Sequence, residues 1–170
     1  MKSVWWYRGL AVSGAALILA GCAVRKSVPI EQALAEPAGM VAVKCQPAEA
    51  GSKLIGTWQS NTRPRGVAGD FRALIVLAAD GSMAYDSQVK VGKRIRPGLR
   101  EAGCWQMADG VLTLQTTKSY GEPVDTEDPI YQNRYRLEKA EPARLTLREL
   151  RSGGQVITAR RMQPGYRLPD

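Results

Sequence analysis

The chain has 170 residues, 24 Lys and Arg against 16 Asp and Glu, a formal charge of +8, three cysteines and no histidine. This length suits one folded domain with accessory segments and is too short for two domains with proper cores. Without histidine the commonest general base, nucleophile activator and metal ligand is missing, so the expectation is a non-enzyme with no metal and no cofactor.

The N-terminus comes first. Lys2 and Arg8 form a positive start, and the stretch from Leu10 to Gly21 carries no charge. An apolar run of this size falls short of the roughly 20 residues that span a bilayer and suits the core of an export signal. It ends in Leu19-Ala20-Gly21-Cys22, which resembles the lipobox of bacterial lipoproteins. That resemblance implies cleavage before Cys22, diacylation of its thiol, and multi-chain anchoring in a membrane. With Ala23 as the second residue of the mature form, the family's sorting rule implies the outer membrane, with the periplasmic face as the expected side. Residues 1–21 are thus read as signal peptide, 22–52 as lipidated cysteine plus tether, and 53–170 as the folded domain.

Cleavage removes two positive charges, Lys2 and Arg8, and leaves a 149-residue chain of charge +6. A basic exported protein does not meet the genome, so nucleic acid is not expected as a partner. Anionic head groups, lipopolysaccharide phosphates or an acidic protein are compatible with the charge. If lipid consumes Cys22, Cys45 and Cys104 remain as an even pair in an oxidising compartment, which favours a disulfide over two free thiols. The tether is rich in Ala, Pro and Gly, with Pro29, Pro37 and Pro47 along it. It reads as a semi-extended spacer that a Cys45–Cys104 bond would pin to the domain.

Beyond Lys53, short runs of Val, Leu, Ile, Thr and Tyr alternate with Gly, Pro and Asp turns. This pattern predicts about eight strands, near Leu54 to Ser60, Phe71 to Ala79, Ser82 to Val91, Leu99 to Ala108, Val111 to Lys118, Ile130 to Lys139, Arg144 to Leu150 and Gln155 to Met162. Asp80-Gly81 and Asp109-Gly110 read as two-residue hairpin turns and Ser152-Gly153-Gly154 as a looser one. Alternation assigns faces: Leu112 and Leu114 oppose Thr113 and Gln115, Leu145 and Leu147 oppose Arg144, Thr146 and Arg148, and Tyr131, Asn133, Tyr135 and Leu137 oppose Gln132, Arg134, Arg136 and Glu138. The fold class is therefore all-β, an eight-stranded antiparallel meander. Closure into a small barrel is favoured because it removes exposed edges; a two-sheet sandwich is the rival.

The first strand contains Gly56-Thr57-Trp58, and a Gly-x-Trp at this place resembles the lipocalin and wider calycin signature over roughly Lys53 to Met162. The resemblance implies that Trp58 plugs one end of the barrel, that Gly56 permits close approach, and that an arginine of the last strand lies across the indole. Arg161 shares parity with Ile157 and Ala159 and is chosen over Arg160. The lipocalins' second motif, with its Thr-Asp-Tyr core, is missing, and the chain is short for a full lipocalin.

Inward parity gathers Met83, Tyr85, Trp105, Met107, Leu112, Leu114, Tyr131, Asn133 and Tyr135, a set that suits either an amphipathic-ligand pocket or a filled core. The ligand-binding candidates are Tyr85, Trp105, Tyr131, Asn133 and Tyr135. Cys104 points outward on the same parity. Lys90, Lys93, Arg94, Arg96 and Arg100 around Pro97-Gly98 form a basic loop between the third and fourth strands, either solvated or an anion clamp. Its acidic counterpart, from Ser119 to Pro129, does not match an EF-hand loop. Ser87 and Lys90 fit a Ser-x-x-Lys spacing, but residues three apart on a strand face opposite ways. The expected function is an anchored lipocalin-like domain that binds or ferries a small amphipathic ligand. The alternative is an envelope interaction module, an assembly factor or hydrolase inhibitor, that works through its loops.

Overall fold

The structure, a computed structural model, describes residues 43–63 and 68–169. The export signal, the Leu19-Ala20-Gly21-Cys22 motif and the tether as far as residue 42 lie outside the described residues. Nine strands follow one another: β1 (Gly56–Thr62), β2 (Asp70–Leu77), β3 (Ser82–Val91), β4 (Arg94–Ala108), β5 (Val111–Ser119), the short β6 (Glu122–Pro123), β7 (Gln132–Glu141), β8 (Arg144–Glu149) and β9 (Val156–Met162). Every ladder is antiparallel, and β1 pairs with both β2 and β9 while β4 pairs with both β3 and β5. Eight strands therefore close into a barrel, with β6 added beside β5. Closure satisfies the edge N–H and C=O groups that a sandwich would leave open. The helical content of the described residues is one 3-10 turn, Pro129–Tyr131, started by Asp128, whose carboxylate accepts from the Ile130 N–H.

Period-two alternation becomes burial directly. In β5, Leu112, Leu114 and Thr116 are buried between half-exposed neighbours, and in β8 Leu145 and Leu147 are buried between outward-facing side chains. The core collects Trp58, Leu77, Met83, Trp105, Leu112, Leu114, Leu145, Leu147 and Ala159, with Leu54 from just before β1. Both indole N–H groups find carbonyls: Trp58 donates to Leu54 at 2.7 Å and Trp105 to Ala78 at 2.9 Å. A buried indole lacking such a partner would be penalised for its desolvated donor.

Turn chemistry sets the register at both ends. Asp109 and Gly110 both take positive φ, 50° and 74°, as a type I′ turn requires. The Asp80-Gly81 turn departs from expectation. Only Gly81 has positive φ, and the Ala78 N–H bonds to the Ser82 carbonyl, so the connection is longer than two residues. Asp80 uses its carboxylate to accept from the Ser82 N–H at 2.9 Å and hydroxyl at 2.6 Å, which holds its pKa below the usual carboxylate value.

Cys45 and Cys104 are disulfide-bonded, with Cα atoms 5.3 Å apart and a sequence separation of 59. Cys104 pairs with outward Ser82 and so faces the outer wall. Around it the segment entering the barrel is docked: the Ala48 N–H donates to the Ala79 carbonyl at 2.9 Å, and a side chain at Gly81 would collide with the Gln46 carbonyl. The part of the expected tether from residue 43 to 52 thus lies against the barrel at the β2–β3 turn.

Candidate functional site

The interior holds two chemically different regions. At one end Trp58, wholly buried, is roofed by Arg161, whose guanidinium carbon stands 4.1 Å from the ring centroid. Arg161 also donates to the carbonyls of Ile55 at 2.7 Å, Lys53 at 2.7 Å and Pro142 at 2.6 Å. One side chain thereby ties the last strand to the residues before β1 and to the β7–β8 turn. Gly56 is required by this arrangement: its φ is 144°, and a Cβ there would come within 2.2 Å of an Arg161 nitrogen. The cation–π contact itself is worth on the order of 1 kcal/mol.

Beyond this floor the inward positions turn polar. Tyr85 on β3 pairs with Glu101 on β4, and Tyr135 on β7 pairs with Glu149 on β8. Burial pushes the Tyr85 phenol well above its ordinary pKa, helped by neighbouring Tyr135 and by the negative charges of Glu101 and Glu149. Burial likewise raises Tyr135 to about 12, again with Glu149 and Glu101 contributing. The four groups therefore share one interior environment, in which both phenols stay protonated and can donate. Thr116, wholly buried, donates to the Glu101 carboxylate at 3.2 Å. Glu149 is gripped by Arg151 through two bonds, 2.8 and 3.1 Å, and accepts a third from the Gln155 N–H. Ser87, also buried, accepts from the Leu99 N–H at 2.8 Å, where the β3–β4 ladder shifts register.

The other ligand candidates separate. Trp105 belongs to the packed floor, 3% exposed, and contributes core rather than a free wall. Tyr131 sits half-buried in the 3-10 turn instead of in a strand, because Pro129 cannot donate to a ladder and Asp128 caps the turn. Asn133 pairs with Leu114 but is exposed, and Met107 is exposed beside the Asp109-Gly110 turn. Glu101 and Glu149 were not anticipated. Their signal was present, since Glu101 shares parity with Gly103 and Trp105, and Glu149 with Leu145 and Leu147.

The basic loop is corrected. Residues 94–100 are the first half of β4, and β3 continues to Val91, so the connection is only Gly92-Lys93. Gly92 supplies a φ of 60°, the first position of a tight hairpin turn. Lys90, Arg94, Arg96 and Arg100 are thereby spread along a two-stranded ribbon, with Lys93 at its tip. Arg100 meets Asp86 at 3.8 Å. The sequence had suggested a loop because Pro97-Gly98 looks like a turn; the ladder accommodates it at the same register shift that bonds Ser87 to Leu99. The acidic segment spends two carboxylates on local turns, with Asp125 accepting from the Glu127 N–H and Asp128 from Ile130.

Compared with known proteins, the sequence matches no family model and no curated protein.

Proposed function

We propose that this chain is an outer-membrane lipoprotein, cut before Cys22 and acylated there, whose lipocalin-like barrel binds a small amphipathic ligand and performs no catalysis. The observation that carries the ligand reading is the convergence of Tyr85, Tyr135, Glu101 and Glu149 above an apolar floor built on Trp58 and Trp105. Phenol rings offer apolar faces and O–H donors, and carboxylates offer acceptors, which suits a molecule with an apolar body and a hydroxyl or amine head. The lipobox-like Leu19-Ala20-Gly21-Cys22 and the disulfide, typical of oxidising compartments, support the envelope assignment.

Native mass spectrometry of the full chain released gently from membranes tests the reading. A stoichiometric adduct below the mass of the protein's own acyl chains is expected, and it should be lost in Tyr85→Leu combined with Tyr135→Leu. Recovery of ligand-free wild-type protein only, under conditions that keep it folded, would sink the idea. For the anchor, Cys22→Ser should abolish incorporation of radiolabelled palmitate.

The interaction-module reading keeps one favourable observation. Val91 and Leu99 are exposed apolar side chains, 42% and 47%, among the cations of the β3–β4 ribbon. Charge reversal at Arg94 and Arg96 separates the readings, because a ligand held inside the barrel is indifferent to it while a ribbon-bound protein partner is lost.

A further inference from the structure

Three arginines converge on one hollow of the outer wall, across β2, β1, β9 and β8. Barrel closure places Arg160 of β9 between Gln59 of β1 and Arg144 of β8. Arg144 and Arg160 are direct cross-strand partners, an arrangement that is destabilising for like charges. Arg72, on β2, is the register partner of Asn61 on β1. A concavity of about 500 Å³ opens here, lined by Arg72, Arg144 and Arg160 with Gln59, Asn61 and Thr158. Three arginines, two carboxamide residues and two hydroxyl residues, Thr158 and Ser60, line it, and no carboxylate among the described residues does.

The neighbouring acids make their close ion pairs with other cations, Asp70 with Arg63 and Glu141 with Lys139 at 2.6 Å, although Glu141 is also the register partner of Arg144 and feels its charge, as Asp70 feels that of Arg72. Elsewhere on the protein four arginines are paired: Arg63, Arg100, Arg148 and Arg151. Arg72, Arg144 and Arg160 have no ion-pair partner among the described residues. Arg161, next in sequence to Arg160, is turned inward over Trp58 and does not relieve the repulsion. Beside Arg72 in register stands Gln88, a buried residue whose Nε2 has no acceptor among the described residues.

We infer that this hollow binds a phosphoryl oxyanion, with Arg144 and Arg160 sharing its charge, Arg72 closing from the other side, and Gln59, Asn61 and Thr158 bonding to the group that carries it. Guanidinium forks match phosphate geometry, and a phosphomonoester brings about −1.5 to −2 charges at neutral pH, against −1 for a carboxylate. The anion turns a repulsive cross-strand pair into a bridged one. The hollow is far larger than a bare phosphate ion needs, which leaves room for a head group. It lies on the outer wall, so it stands independently of the ligand reading for the barrel interior.

The test uses the full chain in neutral-detergent micelles and phosphate-free buffer. Its melting temperature is followed with inorganic phosphate, with micelles doped with phosphatidic acid or with phosphatidylcholine, and with potassium chloride at matched ionic strength. Phosphate, phosphatidic acid or both should raise it, while phosphatidylcholine and chloride should not. A response to phosphate alone identifies a soluble phosphoryl ligand and a response to phosphatidic acid a lipid head group; either supports the site. The Arg144→Gln, Arg160→Gln double variant should melt higher than wild type without anion, because the repulsion is gone, and its affinity for the responding probe should fall at least tenfold. The single Arg144→Gln serves if the double variant does not fold. Arg134→Gln with Arg136→Gln, an equal charge loss on the exposed face of β7, should leave the response intact. No response of the wild type to either phosphoryl probe, a response surviving in the Arg144/Arg160 variant, or an equal loss in the Arg134/Arg136 control would overturn the assignment.

Discussion

The two halves of the barrel interior are built from the same eight strands and obey the same alternation, yet they solve opposite problems. Around Trp58 the inward positions carry large apolar side chains whose few polar atoms all reach carbonyls, and Arg161 seals the end with three hydrogen bonds. Around Tyr85 and Tyr135 the inward positions carry carboxylates, phenols and buried hydroxyls, which a domain built only for stability replaces with leucine. One end secures the fold, and the other accepts a polar interior that stability alone does not require.

Trp58→Ala attacks the contrast at its stable end and carries the largest expected effect. Removing a wholly buried indole should cost about 3 to 5 kcal/mol in urea unfolding, and it strands Arg161 with no ring beneath it. A loss under about 1 kcal/mol would mean that the floor is not where the stability lies.

Next comes the disulfide beside the same floor. Replacing Cys45 and Cys104 together by Ala frees a loop with a separation of 59 residues, and should cost somewhat less than the roughly 4 kcal/mol of the chain-entropy estimate. Chemical denaturation of the reduced protein checks this independently.

The polar end is sharpened by alkaline titration. Tyr135 has a folded-state pKa of about 12 against an ordinary 10.0, and Tyr85 is displaced in the same direction. A raised phenol pKa means that folding favours the protonated form. Its stabilising effect is complete below pH 10.0 and is lost as the pH climbs through about 12. Ultraviolet titration of the chain from Cys22 onward should find two of its five tyrosines, Tyr85 and Tyr135, ionising late or only on unfolding. Ionisation of Tyr85 and Tyr135 near pH 10 in folded protein would contradict their burial.

The smallest effect on stability belongs to Glu101→Gln. It weakens the bond from Thr116 but leaves an amide oxygen to accept, so urea unfolding should move by no more than about 1 kcal/mol. Ligand occupancy in native mass spectrometry, however, should fall markedly. A variant as unstable as Trp58→Ala would make Glu101 a structural residue and erase the contrast between the ends.

Much of the architecture could be read in advance because it is encoded locally. Leu112 with Leu114, and Leu145 with Leu147, announce a strand and its inner face within four residues, and Asp109-Gly110 announces its turn. Pro97-Gly98 misled because a local turn signal was outweighed by pairing with β3, which no short window contains. Tyr131 misled in the reverse sense: its parity was right for a strand, but Pro129 and Asp128 closed a turn first. Glu101 and Glu149 obeyed parity and went unnoticed because charged residues in strands are ordinarily assigned to the wet face.

Alternation, turn glycines and paired cysteines are properties of neighbours along the chain, so the sequence by itself determined the strands, their faces and most of their order. The tertiary structure decided what closure brings together. Arg161 donates to Ile55, 106 residues away, and the same β1–β9 and β8–β9 ladders align Gln59, Arg160 and Arg144 on the outer wall. Contacts of that kind depend on the register at which the first and last strands meet. That register is set by the packing of the whole barrel around Trp58, and no segment of the chain carries it alone.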